Sequence, residues 1–163
     1  MSDNLDERVR ALMQMARPIA SDHEHAPMCF LLLSTGDIWV CPLVDTADRV
    51  QDVRAAITAM RAAGATVEAL VWISEAWLSM LDERRGRAPG ADLLEEARAA
   101  RLRCETLVVT IDRHLGASDV YVALLGRDGG EGKRKLGAWL QAPGLVDSNM
   151  IGLLGDMDGG AHA

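Results

Sequence analysis

The sequence predicts an α/β domain of the α+β kind, built on a mixed, mainly antiparallel sheet of about five strands with helices packed on it. Three observations carry this prediction. Two short apolar runs, 28–33 and 38–44, flank a loop that holds Gly36, which is the pattern of a β-hairpin. Residues 66–77 are apolar on both faces of an extended chain, as in a central strand covered twice. Between them, residues 47–63 carry Val50, Val53, Ile57 and Met60 at helical spacing.

The elements follow in order. Residues 3–17 place Leu5, Val9, Leu12 and Ala16 on one narrow helical face. Ser2 or Asp3 caps the first turn, Asp6 and Glu7 suit its positive end, and Pro18 ends the pattern. The narrow face predicts a helix lying on the core rather than within it. In the hairpin, a left-handed Gly36 in a three-residue loop pairs Leu33 with Asp37 and brings Cys29 opposite Cys41. Two small apolar side chains side by side is the plainer reading of that pair; a redox couple is the alternative. Pro42 has no donor for a ladder, so the second strand lies at an edge or ends there.

Asp45 or Thr46 caps the helix over 47–63, and Gly64 closes it. Its Arg49, Asp52, Arg54 and Arg61 fall outside the inner stripe, on a solvated face. In 66–77, Val67, Ala69, Val71 and Ile73 share one face, and Leu70 and Trp72 the other. Residues 78–81 read as a short turn of helix. The charged stretch 82–90, with two glycines and a proline, reads as a mobile loop. Asp92 starts a further helix with Glu95 in a capping-box position. Strands over 104–111 and 120–125, a Gly-rich turn over 127–135, a short edge strand over 136–140 and a last helix from Ser148 to 154 complete a single domain, 1–154. Residues 155–163 read as a disordered tail.

This order, αββα β(α)βββα, resembles that of the roadblock and profilin-like domains, which run helix, two strands, helix, three strands, helix. The likeness covers most of the chain and is one of topology, carried by no motif. It implies an interaction module, often dimeric.

Composition narrows the function classes. Of 163 residues, 17 are basic and 24 acidic, for a net charge of -7, which argues against general nucleic-acid binding. The acidity is uneven: residues 1–80 hold 6 basic and 11 acidic side chains, and residues 81–113 hold 7 of each. No apolar run reaches membrane-span length and no export signal opens the chain, so a cytoplasmic protein off the membrane is expected. Its three cysteines, Cys29, Cys41 and Cys104, are then expected as free thiols in a reducing compartment.

Several residues are candidates for chemistry or binding. His23 and His25, at i and i+2, face the same way on an extended backbone and can share a metal; Asp112 and His114 repeat that spacing at the end of another strand and supply a third ligand if the strand ends meet. The plainer reading is a polar lead into the first strand, and no zincin, JAMM or deaminase pattern is complete. Glu75, set between Ile73-Ser74 and Ala76-Trp77, is a carboxylate in apolar surroundings. It sits at a strand end near water, pairs with an arginine such as Arg113, or serves as a general acid or base. Arg84, Arg85 and Arg87, beside Gly86 and Gly90, suit an acidic partner or phosphate, though Asp82 and Glu83 partly neutralise them. The Gly129–Lys135 turn lacks the P-loop pattern, and no GxSxG elbow occurs. Trp77 and Trp139 mark an interface if exposed.

No cofactor is implied. The leading expectation is a non-enzymatic protein-interaction or regulatory module acting as a homo-oligomer through a sheet edge or helix face. A small hydrolase using Glu75 with the His23/His25/His114 group is the alternative, and a small-ligand sensor is a third reading.

Overall fold

The computed structural model describes residues 2–22, 26–44, 47–79, 103–127, 134–141 and 150–155. Helix α1 (Ser2–Asp22) precedes the hairpin of β1 (Met28–Leu33) and β2 (Ile38–Val40). Helix α2 (Arg49–Ala62) leads to β3 (Val67–Ser79), followed by β4 (Arg103–Arg113), β5 (Asp119–Arg127), β6 (Arg134–Leu136) and β7 (Leu140–Gln141). The fold is mixed α+β, as predicted, and among the described residues the sheet holds seven strands rather than about five. Their order is β2-β1-β3-β4-β5-β6, with β7 also on β5, and every described pairing is antiparallel. The connection through α2 carries the chain over β1, so β2 and β3 run parallel without touching as a pair.

The predicted hairpin register holds. Gly36 has φ +96°, Leu33 N–H donates to Asp37 O at 2.9 Å, and Cys41 N–H donates to Cys29 O at 2.9 Å. A left-handed residue after a tight turn matches the twist of the two strands, and glycine reaches it without steric cost. Strand β2 lies at the sheet edge and ends before Pro42.

Several boundaries differ from the sequence reading: the single edge strand expected over 136–140 is two, β6 and β7, β6 starts within the expected turn, and three further differences have a local reason. Helix α1 runs through Pro18 to Asp22. The bond that Pro18 cannot make would go to Gln14, and both residues are exposed, so water satisfies the carbonyl while Ala16 and Ala20 continue the buried stripe. Helix α2 starts later than expected: its N-cap is Asp48, whose carboxylate accepts from Gln51 N–H at 3.0 Å. Residues 78 and 79 extend β3 rather than forming helix, because β4 pairs with them through Leu78↔Cys104 and Ser79↔Arg103. The helix expected from Asp92, the loop over 82–90 and the tail beyond 155 lie outside the described residues.

Side chains alternate across the sheet and build two cores. On one face, Phe30, Leu32, Ala69, Val71, Ile73, Leu107, Val109 and Ile111 pack under Val9, Leu12, Met13, Ala16 and Ala20 of α1. On the other, Cys29, Leu31, Leu70 and Trp72 pack with Val53, Ala56 and Ile57 of α2 and with Met150, Leu153 and Leu154. The last three come from a turn and a helical turn over 150–155.

That C-terminal turn is held by Asp112, which is 2% exposed. One carboxylate oxygen accepts from Ser118 Oγ at 2.7 Å and Gly152 N–H at 2.9 Å, and the other from Leu154 N–H at 2.8 Å. Removing the carboxylate strands three donors, two of them main-chain. The Ser118 hydroxyl can turn to another partner, but the two main-chain donors cannot; at about 1–3 kcal/mol for each buried group left unpaired, Asp112→Ala is expected to lose about 2–6 kcal/mol of stability. Urea denaturation followed by circular dichroism checks this; a loss within about 0.5 kcal/mol, the range of ordinary surface changes, contradicts it.

Candidate functional site

Glu75 lies on the α1 face of β3, opposite Leu107 of β4. Its Oε2 sits 2.8 Å from Nη2 of Arg134, a β6 residue, with the two side chains 15% and 10% exposed. The carboxylate in apolar surroundings is therefore balanced by an arginine that reaches it over β4 and β5. Arg113 does not fill this role. It sits opposite Ala69 at the other end of the sheet, where it pairs with Asp119 and with Asp6 at 3.2 Å.

The same register separates Glu75 from His114. His114 N–H donates to Glu68 O at 2.8 Å, seven residues before Glu75 on β3. At about 3.3 Å per residue, that is roughly 20 Å along the strand. His23 and His25 lie outside the described residues, as do Arg84, Arg85 and Arg87. Among the described residues, no group of three or more His, Cys, Asp or Glu side chains is placed to hold a metal ion.

The two tryptophans also part company. Trp77 is a β3 residue opposite Glu105. Trp139 is half-buried on the α1 face, with the Arg17 guanidinium 6.0 Å from its ring centroid, a cation–π arrangement. Arg17 also donates to Gly137 O at 3.0 Å and Leu136 O at 3.2 Å. This occupies carbonyls beside β6 and fastens α1 to that margin of the sheet.

The opposite margin is different. In an antiparallel pair, residues that exchange hydrogen bonds alternate with residues whose N–H and C=O point away. The bonded pairs Leu33–Asp37 and Cys29–Cys41 fix the phase, so Trp39 turns its backbone to β1 while Ile38 and Val40 present theirs to the open edge. The side chains there are apolar and exposed: Ile38 by 40%, Val40 by 57% and nearby Val44 by 82%. The sequence marked β2 as an edge through Pro42. The identity of the open positions comes only with the register.

No described helix is long and apolar enough to cross a membrane.

The Glu75–Arg134 pair makes a test of structural against chemical use. Removing one member of a buried pair leaves an uncompensated charge, whereas replacing both with apolar groups is often neutral. Arg134→Met is expected to cost about 3 kcal/mol in urea denaturation, and Glu75→Leu with Arg134→Met is expected to recover most of that loss. Additive losses in the double variant contradict a structural pair. Compared with protein-family models, curated protein sequences and solved structures, the chain matches none.

Proposed function

We propose that this chain is a protein-interaction or regulatory module that self-associates through the open edge of β2. The observation that carries the reading is the three-residue edge Ile38-Trp39-Val40, which has no charge, exposes two aliphatic side chains and leaves two N–H and two C=O groups facing outward. Natural sheets usually blunt such an edge with a charge, a proline or a covering element.

A second copy satisfies this edge. Two antiparallel β2 strands related by a two-fold axis at Trp39 set Ile38 of each copy against Val40 of the other. The four outward groups of each strand are then bonded, and two Ile–Val pairs close on one face. Asp37 falls opposite Cys41 of the other copy, so no like charges meet. Asp37 and Pro42 bound the open stretch and keep the pairing short. The contact is isologous and closes at two copies.

Light scattering coupled to size exclusion over a concentration series tests the reading. The mass is expected to rise from 17.6 kDa toward twice that value with concentration. Val40→Lys places a charge on the open edge and is expected to hold the chain at the monomer mass with its circular dichroism spectrum unchanged. A wild-type chain that stays monomeric at the highest soluble concentration overturns the proposal.

A further inference from the structure

Cys29 and Cys41 occupy a hydrogen-bonded cross-strand position, with Cys41 N–H on Cys29 O at 2.9 Å. The Cα atoms of such a pair stand about 5.5 Å apart, within the roughly 4.4–6.8 Å that a disulfide spans. Both side chains project to the α2 face, both are buried, and both are free thiols. Cys104 is no competitor. It pairs with Leu78 on β3, whereas Cys29 pairs with Trp72, six residues away and roughly 20 Å along the strand.

We propose that Cys29 and Cys41 form a reversible dithiol–disulfide site that is oxidised by a small-molecule disulfide and staples the edge strand β2 to β1. The two thiols lie within hydrogen-bonding reach of each other. The neighbouring Cys29 thiol holds Cys41 below the ordinary thiol value. That same interaction, with burial, pushes Cys29 well above it. Position divides the roles: Cys41, which follows the edge strand β2, is the attacking thiolate, and Cys29, on the inner strand β1, the resolving thiol.

Access follows from place in the sheet. Cys41 comes directly after β2, three residues long and paired on one side only. Local opening of such an edge takes far less free energy than global unfolding. It bares Cys41 while β1, β3 and β4 stay paired.

The exchange balances in two displacements. The Cys41 thiolate attacks one sulfur of R–S–S–R, forming Cys41–S–S–R and releasing RS⁻, which takes up the proton given up by Cys41. Cys29 then loses its proton, and its sulfur attacks Cys41 Sγ. The Sγ–Sγ bond forms, and the second RS⁻ leaves and takes the Cys29 proton. Two protein thiols are oxidised and one external disulfide is reduced to two thiols.

The test incubates the full chain, folded and without denaturant, with glutathione disulfide, then blocks remaining thiols and reads intact mass and a peptide map. The expected product has lost two hydrogens, links the Cys29 and Cys41 peptides, and returns to the dithiol in excess reduced glutathione. Cys104→Ser is expected to behave as the wild type, and Cys41→Ser to form no internal link. Thiols that stay reduced until denaturant is added, a link through Cys104, or a link that reduced glutathione does not reverse each overturn the proposal. The oxidation is run at a concentration where the chain is at its monomer mass, so its failure and that of self-association through β2 are separate results.

Discussion

A strand that is apolar on both faces has to be covered twice, and β3 is that strand. Ala69, Val71 and Ile73 point to one side and Leu70 and Trp72 to the other, and all five are buried. Each large aliphatic side chain taken from water contributes about 1.5–3 kcal/mol, so neither face can be left bare. The rest of the architecture answers this requirement. Helix α1 lies over one face, while α2 and the 150–155 turn lie over the other. Strands β1 and β4 flank β3 and take up its backbone groups, and the remaining strands extend the sheet outward from this centre.

The coverings are fastened by polar contacts at particular places. Arg8 of α1 donates to Leu33 O at 2.9 Å and pairs with Glu68 at 2.7 Å, which anchors the start of the helix at one end of the sheet. Asp112 anchors the C-terminal turn near that same end on the opposite face. Glu75 and Arg134 lie toward the other end. Asp112 and Glu75 illustrate two solutions for a carboxylate out of water. One is surrounded by neutral donors and becomes a tether; the other pairs with a cation and becomes a cross-brace between β3 and β6.

What was legible in the sequence was mostly local. Gly36 and the alternation around it specified the hairpin, its register and the Cys29–Cys41 pairing, because turn geometry and a two-residue period suffice for that. The double-sided strand around Trp72 and the stripe of α2 were legible for the same reason. The partner of Glu75 was not, because Arg134 is distant in sequence and reaches it only once the strand order is known. Asp112 was legible only as a candidate metal ligand beside His114, not as a tether: its donors include two backbone N–H groups, which have no residue identity. Pro18 misled because a proline stops a helix only where the missing bond cannot be made good by water. The separation of Glu75 from His114 was not legible either, since it follows from the register of β3 on β4.

Arg17 carries a consequence for the order of events in folding. Its bond to Gly137 O joins residues 120 positions apart, so α1 is fastened at its far end by a segment synthesised 120 residues after it. Until then the stripe of Val9, Leu12, Met13, Ala16 and Ala20 has only part of its sheet to rest on. Contacts of such long sequence separation come late and slow the search for the native state. The apolar face of α1 is thus left partly uncovered while the later strands are being made.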